Sequence, residues 1–277
     1  MSKRKSVLLV IDGQNDFVLP NGALPVTGAV DDMKRVVEFI KNNMDGLNGI
    51  SCTLDSHHTL DISHPAWWMD KNGNIVPPFT VILPQDLLEG KYTARTAPQW
   101  SNKYVNDLAT QGEFVHFVWP YHCLIGTTGH ALYADLAAAL KQFEETKGVP
   151  VHYVTKGENQ YTEHFGAFRA NIEIPQDPST QLNQRLIKYL MENDDVYLAG
   201  EASSHCVANT LKQAVNEVPG LASKLIILED CMSAVPGGPV ANGPSFAELA
   251  QPIYDDAKAK GVRFAKSTDV VLDAALV

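Results

Sequence analysis

The chain has 277 residues, 45% of them hydrophobic, with 19 glycines and 16 prolines, enough for one large domain with a substantial core. A net charge of −10 argues against a nucleic-acid partner held by a broad basic surface, and no apolar run approaches the roughly 20 residues a membrane helix needs. Four cysteines do not make a disulfide scaffold at this length, and the basic start Met1-Ser2-Lys3-Arg4-Lys5 precedes an apolar stretch too short for a secretory signal, so a reducing, cytoplasmic setting is expected.

Ser6 to Ile11 (SVLLVI) is a continuous apolar run closed by Asp12-Gly13, the pattern of a strand buried on both faces. Val30, Met33, Val37, Ile40 and Met44 then recur at helical spacing, which predicts a helix from after Thr27-Gly28 to near Asp45-Gly46. Ile50 to Leu54 reads as a second strand, ended by Asp55, and strand–helix–strand is the parallel crossover unit. From Ser63 to His122 the alternation stops. This stretch holds Trp67, Trp68, Pro77, Pro78, Pro84, Pro98 and Trp100, and residues 63–119 read as a loop-rich insertion on the same domain, a candidate lid.

Alternation resumes with a helix over His130 to Lys147 and a strand over Val151 to Thr155. Helices over Thr180 to Asn193, Ser204 to Val218 and Ser245 to Lys260 lead to strands over Val196 to Ala199, Lys224 to Leu228 and Val262 to Ala265. The prediction is a single α/β domain across residues 1–277. It would be a three-layer sandwich, with a mostly parallel central sheet of about six strands and helices on both faces.

In such a sheet ligands bind at the carboxyl ends of the strands. Asp12, Asp55 with His57, Lys156 and Cys206 each follow a different predicted strand, so one rim receives an acid, a metal-type pair, a cation and a thiol. Cys206 falls in the first turn of its helix if Ser203 or Ser204 caps it, with Val207, Leu211, Ala214 and Val218 as the inward stripe. The helix dipole and Lys156 would favour thiolate, and Asp12 could accept the thiol proton. Each residue alone has a plainer reading: a lone cysteine is usually a small buried hydrophobe, a lone lysine a solvated one, a lone aspartate a turn residue. Their placement at matching strand ends favours catalysis.

Asp55-Ser56-His57 with the distant His122 would give two imidazoles and a carboxylate to one divalent metal. D-x-H alone is a weak signal, and His58 and His64 compete for the assignment. Cys123 is an optional soft donor that reads more simply as a buried thiol, and Cys52 and Cys231 read as core. A dinucleotide-binding reading fails, because the turn Asp12-Gly13-Gln14-Asn15-Asp16 has no glycine triad and presents acids where a pyrophosphate would sit.

Taken in order, these segments resemble the nicotinamidase/isochorismatase-like cysteine hydrolase superfamily, and within it the nicotinamidase (pyrazinamidase) branch. Leu9-Val10-Ile11-Asp12-Gly13-Gln14-Asn15-Asp16-Phe17 is similar to the opening strand with its D-x-Q-N-D-F signature. Asp55-Ser56-His57 resembles the metal pair and Trp119-Pro120-Tyr121-His122-Cys123 the W-P-x-H-C segment. Thr155-Lys156-Gly157 resembles the lysine turn, and Gly200 to Val207 (GEASSHCV) the nucleophile turn. Gly13 and Glu201 stand where the family more often has apolar residues, and the stretch between His64 and His122 is longer than in the compact bacterial members.

The resemblance implies hydrolysis of a small amide, nicotinamide to nicotinate and ammonia, through a cysteine thioester. Cys206 would be the nucleophile, Asp12 the general base and later acid, and Lys156 the cation that orients Asp12 and stabilises the thiolate. It implies a cis peptide at Glu201-Ala202 and an oxyanion hole from the N–H groups of Ala202 and Cys206. Asp55, His57 and His122 would hold one divalent ion, zinc first, with Fe2+ or Mn2+ as alternatives, and that ion would hold the pyridine nitrogen. Phe17 and Trp119 match the aromatics that flank the ring. A homo-oligomer is expected. The competing expectations are a thiol hydrolase of another small amide or carbamoyl compound, and a non-catalytic binding protein on the same fold.

Overall fold

β1 (Ser6–Ile11) runs through the middle of a six-stranded sheet with every residue buried, and its two faces feed two different cores. The computed structural model describes residues 4–111 and 115–273, so Met1 to Lys3 of the basic start and residues 112–114 of the insertion lie outside the described residues. After β1 come α1 (Asn15–Val18), α2 (Ala29–Asn42) and β2 (Leu47–Asp55). The insertion contributes β3 (Trp68–Asp70), β4 (Thr80–Ile82), α3 (Pro84–Leu88), β5 (Tyr92–Ala94), α4 (Pro98–Thr110) and β6 (His116–Val118). The remainder is α5 (Ala134–Lys147), β7 (His152–Lys156), α6 (Gln184–Met191), β8 (Asp195–Gly200), α7 (Cys206–Glu217), β9 (Leu225–Leu228), α8 (Phe246–Ala259) and β10 (Arg263–Ala265).

The large sheet has the order β10-β9-β8-β1-β2-β7 with all pairings parallel. Leu8 and Val10 face a core shared with Met33, Val36 and Ile40 of α2 and Leu136, Leu140 and Phe143 of α5. Val7, Leu9 and Ile11 face the opposite core, with Leu186 and Leu190 of α6 and Val207, Leu211 and Ala214 of α7. This two-sided burial is why β1 is apolar at every position, and it makes the three-layer α/β sandwich. Val7, Leu8, Leu9, Val10 and Ile11 are all at most 1% exposed, and burying each contributes about 1.5–3 kcal/mol. Packing of that size offsets the cost, about several kcal/mol per ion, of the charges buried at the strand ends.

The insertion is more ordered than its proline-rich sequence predicts. β3 pairs with β5 and β4 with β6, both antiparallel, and α4 packs Tyr104, Val105 and Leu108 against Trp67, Trp68 and Ile82 in a third core. Pro98 at the start of α4 costs no hydrogen bond there, so the residue that argued for loop instead opens a helix.

Candidate active site

The chain builds β1, β2 and β7 outward in one direction, then returns to lay β8, β9 and β10 on the other side of β1. Asp12 and the nucleophile turn therefore leave neighbouring strands at the point where the strand order reverses, the usual position of a ligand crevice in an open parallel sheet. Asp12 adopts a left-handed φ of 45°. The next residue has to be small, since a Cβ on Gly13 would lie 2.4 Å from the Leu136 side chain. The departure at Gly13 is thus set by close packing of α5. Gly200 is constrained more severely: it has φ 121°, and a Cβ there would meet the Ile11 carbonyl oxygen at 2.1 Å.

Lys156 joins the reactive groups. Its Nζ is 2.8 Å from Asp12 Oδ2, 2.9 Å from Asp55 Oδ1 and 3.6 Å from Cys206 Sγ, and it donates to the His164 carbonyl at 3.1 Å. Thr53 Oγ1 donates to Asp12 Oδ1 at 2.5 Å and accepts from Asp12 N at 3.0 Å, which fixes the carboxylate. Burial pushes the Asp12 carboxyl above its usual range, with the Lys156 charge opposing. Burial would lower Lys156, but Asp12 and Asp55 outweigh it and hold the ammonium well above its ordinary value.

Two expectations change at Cys206. The helix cap is His205, without a side-chain cap bond; Ser204 instead bonds the His205 ring at 2.9 Å and accepts from Val235 N at 3.0 Å, so neither Ser203 nor Ser204 caps α7. Burial raises the thiol well above the ordinary cysteine value, and Lys156 only partly offsets this. Asp12, in side-chain hydrogen-bond contact with Cys206, is the group placed to take the thiol proton.

The Glu201-Ala202 peptide is cis. In the turn, Gly200 N donates to Cys231 O, Glu201 N to Ile11 O, Ser203 N to Ser233 O, and His205 N and Val207 N to Ala202 O. Among the described residues, Ala202, Ser204 and Cys206 are the turn amides without such a carbonyl acceptor, which leaves the two expected oxyanion donors available.

Asp55, His57 and His122 meet beside this group, with one donor atom from each within 4.8 Å of the others. His57 Nε2 is 3.1 Å and His122 Nε2 3.4 Å from Asp55 Oδ2. The other ring nitrogens are engaged: His57 Nδ1 lies 3.1 Å from Asp61 Oδ2 and His122 Nδ1 2.8 Å from the Pro120 carbonyl. With both Nδ1 atoms engaged, Nε2 is the nitrogen that each ring turns toward the Asp55 carboxylate, and it is the atom each would offer to a divalent ion. The three residues thus fit a metal ion. Burial would raise Asp55, yet His57 and Lys156 hold it well below the usual carboxylate range.

His58 is exposed and outside the cluster, whereas His64 is buried with its Nε2 3.3 Å from His122 Nδ1. Cys123, Cys52 and Cys231 are buried, free thiols in the core. Phe17 packs on His122 with ring centroids 5.5 Å apart, and Trp119 meets His205 edge-on at 5.1 Å, so one aromatic stands by each end of the site. Beyond Trp119 and His205 lies an apolar cavity of about 730 Å3, walled by Val81, Leu83 and Phe117 of the insertion and by Phe246 of α8.

Several supporting residues were not anticipated. Thr53 and Glu163, whose Oε1 is 3.8 Å from His57 Nε2, act at long range in the chain, and Asp61 acts on His57 four residues before it. Gln14 is another: it bridges the Asp55 carbonyl and amide at 2.8 and 2.7 Å. Only Gln14 stood in a quoted motif.

A parallel sheet of this order brings a thiol, a carboxylate and an ammonium into contact at its switch point with a metal-type triad alongside, the arrangement that the resemblance to isochorismatase-like cysteine hydrolases implied. The proteins to which this chain is similar are nicotinamidases and pyrazinamidases. The chain is 25% identical to the nicotinamidase of Saccharomyces cerevisiae over 255 residues, covering 92% of this chain and 96% of that protein. The structure of a nicotinamidase/pyrazinamidase from Acinetobacter baumanii superposes with a TM-score of 0.62 at 23% identity, covering 97% of this chain and 99% of that one. A Pyrococcus horikoshii pyrazinamidase in complex with zinc gives 0.54 at 19% identity, over 95% and 99% of the two chains. No protein-family model matches.

Proposed function

We propose that the protein hydrolyses nicotinamide to nicotinate and ammonia through a thioester on Cys206. The observation that carries this reading is the contact of Asp12, Lys156 and Cys206 at the carboxyl edge of the sheet. Asp12 takes the thiol proton as Cys206 Sγ attacks the carboxamide carbon, and the amides of Ala202 and Cys206 receive the developing oxyanion, each worth about 3 kcal/mol of barrier. Lys156 keeps Asp12 oriented and balances its charge. The C–N bond breaks as Asp12 returns the proton to nitrogen, releasing ammonia and leaving the thioester. Asp12 then takes a proton from water, whose oxygen attacks the thioester; the C–S bond breaks and the proton returns to Cys206.

Asp55, His57 and His122 would hold a divalent ion, zinc first, and the same two imidazoles and carboxylate also suit Fe2+ or Mn2+. When bound, that ion supplies a Lewis-acid anchor for the pyridine nitrogen. Phe17 and Trp119 flank the ring, and the insertion roofs the approach to it.

The test is ammonia release from nicotinamide, pyrazinamide and aliphatic amides, with elemental analysis of the same sample. The expected result is nicotinate formed mole for mole with ammonia and one metal per chain. Turnover of an aliphatic amide or carbamoyl compound alone would move the substrate, and no turnover of any amide would leave a binding protein.

A further inference from the structure

The nucleophile turn carries a carboxyl group that the mechanism does not use. Glu201 follows β8 directly and is fully buried. Its Oε2 accepts from Ser233 N at 3.2 Å, while its Oε1 has no N–H or hydroxyl to accept from. Asp32 in the first turn of α2, 2% exposed, is in the same condition. Arg35 donates to its Oδ1 at 2.5 Å, and its Oδ2 has no donor.

The two side chains converge on one spot: a Cβ built on Gly28 would lie 3.7 Å from Asp32 Oδ2 and 2.6 Å from Ser233 Oγ, and Ser233 is the residue whose N–H Glu201 accepts, which brings the two carboxyl groups within hydrogen-bond reach of one another. Two carboxylates in such contact repel, and each keeps a desolvated, unsatisfied oxygen; one proton between them removes both costs. The other titratable or charged groups around Glu201 are Arg35 of α2, Asp230 and Cys231 after β9, and Tyr254 of α8. Arg35 is already committed to Asp32 and to the Asp230 carbonyl, and Tyr254 donates to the Ser203 carbonyl at 2.6 Å. Neither is placed to satisfy Glu201 Oε1.

We propose that Glu201 and Asp32 share one proton and that the pair is a positioning device for the oxyanion turn, tying Glu201 to α2 on one side and to Ser233 on the other. Ser233 O in turn accepts from Ser203 N at 2.8 Å, so the link brackets the Ala202 amide from both sides. The positioning role rests on the amide-hydrolysis reading; the shared proton does not. In agreement, burial first, and then the neighbouring Asp32, hold Glu201 well above the usual carboxylate range. An apolar residue at 201 would fill the space but strand Asp32 Oδ2 without a partner.

The test compares Glu201→Gln, Asp32→Asn and Glu201→Leu with the wild type. Glu201→Gln places an amide N–H where the shared proton sits. A carboxylic-acid C=O stretch in the infrared spectrum at neutral pH is expected in the wild type and absent from Glu201→Gln and Asp32→Asn. A carboxyl raised on folding binds its proton more tightly in the folded chain. Stability therefore falls as pH rises from the unfolded value, about 4.3, through the higher folded one. That slope should be present in the wild type and lost in Glu201→Gln.

With nicotinamide, Glu201→Leu should lower kcat at least about tenfold with KM within about twofold, and Glu201→Gln should restore kcat. Identical infrared spectra, or pH–stability slopes that superimpose, overturn the shared proton. An unchanged kcat in Glu201→Leu overturns the positioning role; if that variant does not fold, the wild-type kcat should fall at high pH as the shared proton leaves while Glu201→Gln keeps its kcat, and superimposable pH–kcat profiles overturn the role. If the wild type releases no ammonia, the functional reading and the positioning role fall together, and the infrared and pH comparisons still decide the pair.

Discussion

The strand-end rim and the inserted segment both bury large side chains, but they bury opposite kinds. At the rim Asp12, Asp55, His57 and Lys156 are at most 3% exposed, ions held out of water by one another. In the insertion the largest fully buried side chains are Trp67, Trp68 and Tyr104, and the indole N–H groups are satisfied by Ser101 at 2.9 Å and the Ile62 carbonyl at 2.7 Å. A buried ion network is weak evidence for stability, because apolar groups of similar volume would serve as well or better. A buried tryptophan with its N–H paired is ordinary stabilisation. The contrast assigns chemistry to the rim and support to the insertion.

The strongest way to break this division is at the rim itself. Cys206→Ala should reduce ammonia release from nicotinamide at least about 10^4-fold, and Asp12→Asn about 10^2- to 10^4-fold, measured on folded protein. Wild-type turnover in Asp12→Asn would remove it from proton transfer. A smaller effect is expected one shell out. Asp61→Asn frees His57 Nδ1, so metal affinity should fall about 10- to 100-fold in a chelator competition. Unaltered affinity would separate Asp61 from the metal ligands. The insertion should show the least effect on turnover. Trp67→Ala should cost about 3–5 kcal/mol in urea unfolding and leave kcat of the folded fraction unchanged. A large loss of kcat would instead tie the packing around Trp67 to the chemistry of the site.

How much of this was legible in the sequence follows from the range of each interaction. Strands such as β1 announce themselves because burial on both faces forces a continuous apolar run. Asp12, Asp55 and Lys156 were legible because each falls at the end of a predicted strand, and Cys206 because it follows a strand by one short turn. Thr53 was not: it lies inside β2, where a threonine is an unremarkable strand residue, and only the neighbouring strand brings Asp12 to it. Asp61 and Glu163 are single acids in irregular segments, with no period or motif to mark them. α4 was missed because its prolines and tryptophans read as loop, although Tyr104, Val105 and Leu108 form a buried stripe.

Glu201 was visible only as a departure from a resemblance, and its meaning depends on Asp32, which reads as one of several acids opening a helix. The amino-acid order by itself determined the α/β layering and which reactive groups stand at strand ends, because local burial patterns set the elements and parallel connections put their ends on one edge. The tertiary structure decided which of those groups touch, which ring nitrogens turn inward, and that two distant carboxyls face each other. Those contacts span elements far apart in the chain, and no local pattern encodes them.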